Sequence, residues 1–251
     1  MGEEHELLKK RFLELSRKAY EGSYFTFSDF LGLAEQSALS EVKRSLPSRI
    51  TLFGGAVGAE RVMVRFGDAD EIGYELPFPI VCLKIAPRAA KFADRLTHRD
   101  FLGALLNLGI EREVLGDIII RDNVGYLFAK ENIAEFITDS LSRVKHTDVT
   151  VEAVTELPDG ELYKTEVRRI QANGERLDAV VAKVFSLSRD DSSLLFKKRL
   201  VFASGREIES VSYIPKSGEV ISVRGYGRFI YRGYETLTRK GKKNIEVELY
   251  V

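Results

Sequence analysis

The side chains of this 251-residue chain best suited to chemistry are cations, and they gather towards the C-terminus. Arg176 and Arg189 each open a short helix predicted from the apolar spacing that follows, so each guanidinium fork lies beside unsatisfied helix N–H groups that favour anions. Lys197, Lys198 and Arg199 fall in succession where the second helix should end, and positive charge there complements the macrodipole. Arg224 and Arg228 flank two glycines and Tyr226 in RGYGRF, where backbone and aromatic ring are open to close approach. Such groups bind phosphate. Residues 176–251 hold 15 Lys+Arg against 9 Asp+Glu, a formal +6, in a chain with 38 of each, so residues 1–175 carry −6. The split points to a C-terminal part that meets a polyanion and an N-terminal part with another task.

Enzymatic chemistry finds little support. His5, His98 and His146 fall in three different contexts, with no HExxH or paired cysteine to build a metal site. His98 and Asp100 share the start of a predicted helix, where residues two apart point away from each other, so they form no dyad; His98 and Arg99 are instead expected to be exposed and to contact a partner. GGAVGAE follows a predicted strand, but no Gly-Lys-Ser/Thr comes after it and no helix starts there, so it reads as a hairpin connection and not a phosphate cradle. No dinucleotide loop or nucleophile elbow occurs. Cys82 is alone, which excludes an intramolecular disulfide and a cysteine-rich zinc site, and it reads as a core residue. The expectation is a protein without catalytic residues, cofactor or metal. Neither a signal peptide nor a stretch of about 18 apolar residues is present, so a cytoplasmic protein with no membrane partner is expected.

The elements that must position these groups follow from periodicity. Leu8, Phe12, Leu15 and Ala19 predict an amphipathic helix over residues 3–20, and a second helix over 34–45 stops before Pro47. Strands are predicted at 50–53 and 62–66. Beyond Pro77 and Pro79 the order is strand 80–85, helix 98–108, strands 117–121 and 124–129, helix 131–141, strand 148–155. This β-α-β-β-α-β order is the ferredoxin-like pattern, an antiparallel sheet with two helices on one face and the other face left for packing or a ligand. Asp122-Asn123 forms a hairpin turn, and Thr97 with Asp100 a variant capping box. After a turn at Pro158-Asp159-Gly160, a strand at 162–170 closes the domain at Asn173-Gly174. Then Leu177, Val180, Val181 and Val184 make one face of a helix, and Ser188 caps another. Strands follow at 200–202 and 220–223, and the alternation in IEVELYV predicts a last, half-buried one. The fold class is α+β in three parts: a helical and hairpin region (1–78), a ferredoxin-like middle domain (79–173) and a basic C-terminal domain (174–251).

The run RLDAVVAKVFSLSRDDSSLLFKKRLVFASGREI, followed by SGEVISVRGYGRF, resembles an S4 (αL-like) RNA-binding domain. LTHRDFLGALLNLGIEREVLGDIII, GGAVGAER and RGYGRF extend the similarity over nearly the whole chain to the YlmH family of bacterial S4 proteins. What the resemblance implies is non-catalytic binding of structured RNA, namely rRNA of the large ribosomal subunit, peptidyl-tRNA or both, in ribosome-associated quality control or rescue; DNA is not an expected partner. It assigns RNA contact to Arg176, Ser188, Arg189, Lys197, Lys198, Arg199, Arg224, Tyr226 and Arg228, with His98 and Arg99 as a second contact. Two departures stand out. Arg199 occupies the place where the pattern has a helix-ending glycine, and Ser204-Gly205 replaces an Asn-Gly turn. Asp190 and Asp191 cap the second helix but set negative charge beside Arg189. The alternatives are an RNA-modifying enzyme with an unrecognised site and an interaction protein of cell division.

Overall fold

The structure is a computed structural model that describes residues 2–155, 163–238 and 241–250, so the turn predicted at Pro158-Asp159-Gly160, the first residue of the strand that follows it and Val251 lie outside the described residues. The elements run α1 (Gly2–Gly22), β1 (Thr26–Phe27), α2 (Leu33–Val42), β2 (Ile50–Phe53), β3 (Met63–Phe66), α3 (Ala69–Ile72), β4 (Ile80–Pro87), α4 (His98–Asn107), β5 (Leu115–Arg121), β6 (Val124–Lys130), α5 (Glu131–Ser140), β7 (Arg143–Val144), β8 (Thr147–Val154), β9 (Thr165–Ala172), α6 (Leu177–Val184), α7 (Arg189–Lys197), β10 (Val201–Ala203), β11 (Arg206–Glu207), β12 (Val220–Val223), β13 (Gly227–Leu237) and β14 (Lys243–Tyr250). They group into two compact units: Met1–Gly32 with Val42–Leu162, and Leu33–Glu41 with Tyr163–Val251. None of the described helices is long and apolar enough to cross a membrane.

In the first unit, β5, β6, β4, β8 and β7 lie side by side in that order, every pair antiparallel. Because side chains alternate along a strand, Leu83 and Ile85 of β4 and Leu127 and Ala129 of β6 share one face, and there they bury Phe101 and Leu105 of α4 and Ile137 of α5. Each such side chain contributes roughly 1.5–3 kcal/mol by leaving water. The reciprocal capping box of Thr97 and Asp100 opens α4, with both the Thr97 N–H and hydroxyl donating to Asp100 Oδ2, at 2.8 and 2.7 Å. The opposite face carries Cys82 and Phe128 and is packed. A Cβ at Gly55 would sit 2.2 Å from the Phe128 ring, and one at Gly116 3.0 Å from its Cβ. Gly55 also has φ +96°, so glycine is required there on both counts.

GGAVGAER fixes this packing. Asp117 accepts the backbone N–H groups of Glu60 (2.7 Å) and Arg61 (3.1 Å), while the Arg61 guanidinium donates to the carbonyls of Leu115, Phe30 and Arg112 at 2.8–3.0 Å. The glycine-rich stretch joins the paired strands β2 and β3, as the hairpin reading expected, and also clamps β5, which that reading did not foresee.

In the second unit a six-stranded antiparallel sheet has the order β11-β10-β12-β13-β14-β9. Leu177, Val180 and Val181 of α6, Leu195 and Phe196 of α7, and Val201, Ile221, Val223, Phe229 and Val247 of the sheet form its core. Two boundaries move. The strand placed at the end of the middle domain is β9, which pairs along its whole length with β14, so the boundary expected at 173 falls after the first strand of the C-terminal sheet. Its side chains are mostly exposed, as on an edge strand, and nothing local names the sheet it joins; its partner lies some 75 residues downstream. Most of α2 likewise groups with this unit and not with residues 1–78, and Ser37 Oγ accepts the Glu207 N–H at 3.1 Å.

Candidate nucleic-acid interface

The site is built on the two short helices of the second unit. α6 exists because Leu177, Val180, Val181 and Val184 repeat at helical spacing, and their burial fixes which residues of the helix face out. α7 starts at a cap that uses both partners: Ser188 Oγ accepts the Asp191 N–H at 3.1 Å and donates to Asp191 Oδ2 at 2.6 Å. Ser188 thus has a structural role, and the carboxylate of Asp191 turns to the cap.

Asp178, in the first turn of α6, organises the cations. It is 3% exposed, yet its carboxylate accepts two hydrogen bonds from Arg176, Nε to Oδ1 and Nη2 to Oδ2, each 3.1 Å, and Arg189 Nη2 lies 3.8 Å from Oδ2. Ser192 Oγ adds a 2.7 Å bond to the Asp178 carbonyl, tying the start of α7 to α6. One buried carboxylate therefore brings together two guanidiniums that stay about half exposed, at 47% and 66%. Sequence reasoning placed both arginines and missed the group that holds them. The available signal was the opposite charge two residues after Arg176 on a helix whose other inward positions are all apolar.

The end of α7 forms a second cluster. Lys197 and Lys198 are exposed, and the Arg224 N–H donates to the Leu200 carbonyl at 2.9 Å, which sets Arg224 beside this helix end. Arg199 supplies the left-handed residue itself, at φ +56°. Its N–H reaches the Phe196 carbonyl and the Leu200 N–H that of Leu195, both at 3.0 Å, which is the Schellman pattern without glycine. The strain is offset in part by ion pairs from Arg199 to Glu207 (3.3 Å) and Glu209 (3.2 Å). At the other departure, Ser204 (φ +47°) and Gly205 (φ +79°) both take positive φ and still make a two-residue turn between β10 and β11.

RGYGRF is the turn into β13, an eleven-residue strand that the sequence reading did not predict. Tyr226 is 47% exposed and packs on Phe185 at the end of α6, ring centroids 5.9 Å apart, leaving part of its ring surface open. Arg228 lies instead against two rings, 4.0 Å from the Tyr250 centroid and 4.8 Å from that of Tyr163. Of the expected contacts, Arg176 and Arg189 form one group on Asp178, and Lys197, Lys198 and Arg224 another, in which the Arg224 guanidinium lies 5.3 Å from the Phe202 ring centroid. Ser188 is engaged in the helix cap, Arg199 in two ion pairs and Arg228 with two rings.

In the first unit, His98 and Arg99 are exposed at the start of α4, as expected. Desolvation of the ring on its protein side, and then the nearby Arg112, push the His98 pKa below its ordinary value, with Asp117 acting in the opposite direction. Arg99 lines a concavity of about 470 Å³ together with Asn107, Arg143 and Lys145.

Comparison with known proteins bears on both units. Residues 76–157 match the family model described as "Putative RNA-binding domain in YlmH". The chain is 29% identical over 241 residues to the "Ribosome-associated protein quality control protein P2" of Bacillus subtilis, covering 94% of this chain and 91% of that protein. A solved structure, "Cell division protein ylmH from Streptococcus pneumoniae", aligns with 61% of this chain and 93% of its own at a TM-score of 0.48 and 22% identity. The domain match over residues 76–157 and the near full-length relative agree with the motifs already described: the chain is similar to proteins of the YlmH family.

Proposed function

We propose that this protein binds structured RNA without turning it over, on the large ribosomal subunit, on peptidyl-tRNA or on both, and that it serves ribosome-associated quality control or rescue. The observation that carries the reading is the pair of exposed guanidiniums held by the buried Asp178 at the head of α6 and α7, continued by Lys197, Lys198 and Arg224 at the foot of α7. At the helical rise of 1.5 Å per residue the two clusters stand about 13 Å apart, a span that reaches across neighbouring phosphates without reading bases. Tyr226 adds an aromatic surface for an unpaired base. In this reading the second unit is an S4 module with its C-terminal strands added, and the strand order of the first unit is the ferredoxin-like one, with His98 and Arg99 as a second contact. The family match over residues 76–157 and the name of the B. subtilis relative support RNA and ribosomal partners.

The test is cosedimentation with purified ribosomal subunits, with and without peptidyl-tRNA, followed by nucleoside analysis of the bound RNA. Salt-sensitive retention on the large subunit with unchanged nucleosides is expected. Absence of retention at low salt, or a new modified nucleoside that depends on the protein, would contradict the reading.

A further inference from the structure

Between α6, the end of β9 with residues 173–174, and Lys242 just ahead of β14 lies a groove of about 330 Å³ that the cation pattern of the sequence did not disclose. Four cations line it: Arg176, Lys183, Arg189 and Lys242; no lining residue is acidic. Its form follows from the sequence. On α6, Ala179 and Ala182 occupy the positions between Arg176 and Lys183, so the helix presents a low floor with a cation at each end. The β14–β9 ladder pairs Lys243 with Ala172 and Asn244 with Gln171, which brings Lys242 up to residues 171–174 as the far wall. Lys183 and Lys242 are exposed and make no ion pair among the described residues. Neighbouring carboxylates turn elsewhere: Asp178 to Arg176 and Glu175 to Lys243 and Tyr231.

Four cations surround a small-residue floor, and the one carboxylate that touches two of them, Asp178, is buried behind Arg176 and Arg189 and does not line the groove, so the arrangement suits more than one negative charge. We propose that this groove is a subsite for the sugar–phosphate backbone, taking successive phosphates of one RNA strand, with Lys183 and Lys242 completing the set begun by Arg176 and Arg189. Lys242, just ahead of β14, is then part of the RNA-binding surface. This rests on the proposed RNA binding and adds to it a second wall that the two-helix reading does not contain. The ligand is a polyanionic strand: a single phosphate would engage one end of the trough and leave the opposite cations unmatched.

The experiment measures binding of the full chain to a structured ribosomal RNA fragment across a salt series, for wild type, Lys183→Ala, Lys242→Ala, the double variant, and Lys216→Ala as a control of equal charge on an exposed turn. The double variant should lower the log–log salt slope by about 1.5, each phosphate contact being worth about 0.7–0.9, while Lys216→Ala leaves it unchanged. A wild type whose binding ignored salt would defeat the RNA reading itself. A steep wild-type slope with Lys183→Ala and Lys242→Ala no different from Lys216→Ala would overturn the subsite alone. Inorganic phosphate and a mononucleotide serve as competitors at matched phosphate concentration; failure to displace the RNA supports a strand as ligand, and displacement by either would overturn it.

Discussion

The two units use arginine in opposite ways. In the first, the most enclosed arginines face inward. Arg61 donates to three backbone carbonyls, and Arg65 is 8% exposed, lying between the Phe25 and Phe78 rings and donating to Glu75 and the Leu76 carbonyl. Arg112 donates to the carbonyls of Leu115 and Gly116 at 3.1 Å; burial, and then Arg61, push its pKa down to about 10 against the pull of Asp117. In the second unit Arg176, Arg189 and Arg224 stay open to water on one side, while Asp178 touches the first two and the Phe202 ring the third. The formal +6 of residues 176–251 and −6 of residues 1–175 therefore understate the contrast, because part of the cationic charge of the first unit, which lies within residues 1–175, never reaches its surface. The exception sharpens the point: Arg228 belongs to the basic segment by count but lies against two tyrosine rings. A charge count becomes an interface only after the inward cations are removed from it.

The largest effects on stability should come from the inward set and from Asp178. Arg61→Ala removes one donor from each of three carbonyls; that of Leu115 keeps Arg112 and that of Arg112 keeps the Leu115 N–H, so the Phe30 carbonyl loses most. The change should cost about 2 kcal/mol of stability, read by denaturant unfolding, while the protein that remains folded keeps its RNA affinity. Loss of RNA affinity out of proportion to unfolding would erase the distinction between the units.

Asp178→Asn is next. Breaking the hydrogen-bonded pair with Arg176 at a carboxylate so well buried should cost about 2 kcal/mol, less than a fully buried pair because the arginine is half exposed. The variant gains a positive charge, so affinity governed by net charge would rise; the arrangement described here requires a fall of about tenfold. The same geometry shows that Arg176, although half exposed, is not a freely reversible surface charge. Arg176→Glu would set a second carboxylate against Asp178 and destabilise the helix start, whereas Arg189→Gln tests contact alone.

Glu175 gives a pH effect confined to the second unit. Burial would raise its pKa, but hydrogen bonds from Lys243 and Tyr231 and the Lys243 charge outweigh this and hold it below the ordinary value of 4.5. Its folded pKa is thus depressed, so its stabilisation is complete above that ordinary value and lost as pH falls through the folded one. Wild type should lose more stability than Glu175→Gln on acidification below pH 4.5; parallel losses would show that the carboxylate contributes nothing.

Arg199→Gly should have the smallest effect. Relief of the left-handed strain exceeds the loss of two ion pairs, one to the exposed Glu209 and one to the partly buried Glu207, by about 0.5 kcal/mol, a gain visible as a slightly higher Tm. A lower Tm would mean that the ion pairs with Glu207 and Glu209 matter more than the backbone.

Elements with their own local signal were legible in the sequence. The periodicity of Leu177, Val180, Val181 and Val184, the Ser188 cap, and the four longer strands between 80 and 154 were readable because each carries its pattern within a few residues, whereas the two-residue β7 carries none. β9 and α2 were assigned to the wrong neighbours because their partners are distant in sequence. β13 was missed because Gly227 (φ +130°) and Gly233 (φ +108°) interrupt a strand whose ladder tolerates register shifts between Tyr231 and Gly233 and between Tyr234 and Thr236. At the site, residue types located the arginines. Which of them were already engaged by Asp178, Glu207 or the tyrosine rings depended on contacts that no spacing records.

The central claim is that the outward cations of the second unit carry the RNA contact. The most direct measurement is the salt dependence of structured-RNA binding by the full chain carrying Arg189→Gln, Lys197→Gln, Lys198→Gln and Arg224→Gln together, all at exposed positions, against wild type. The account predicts a log–log slope shallower by about 3 with an unchanged unfolding midpoint. An unchanged slope in the folded variant would contradict it.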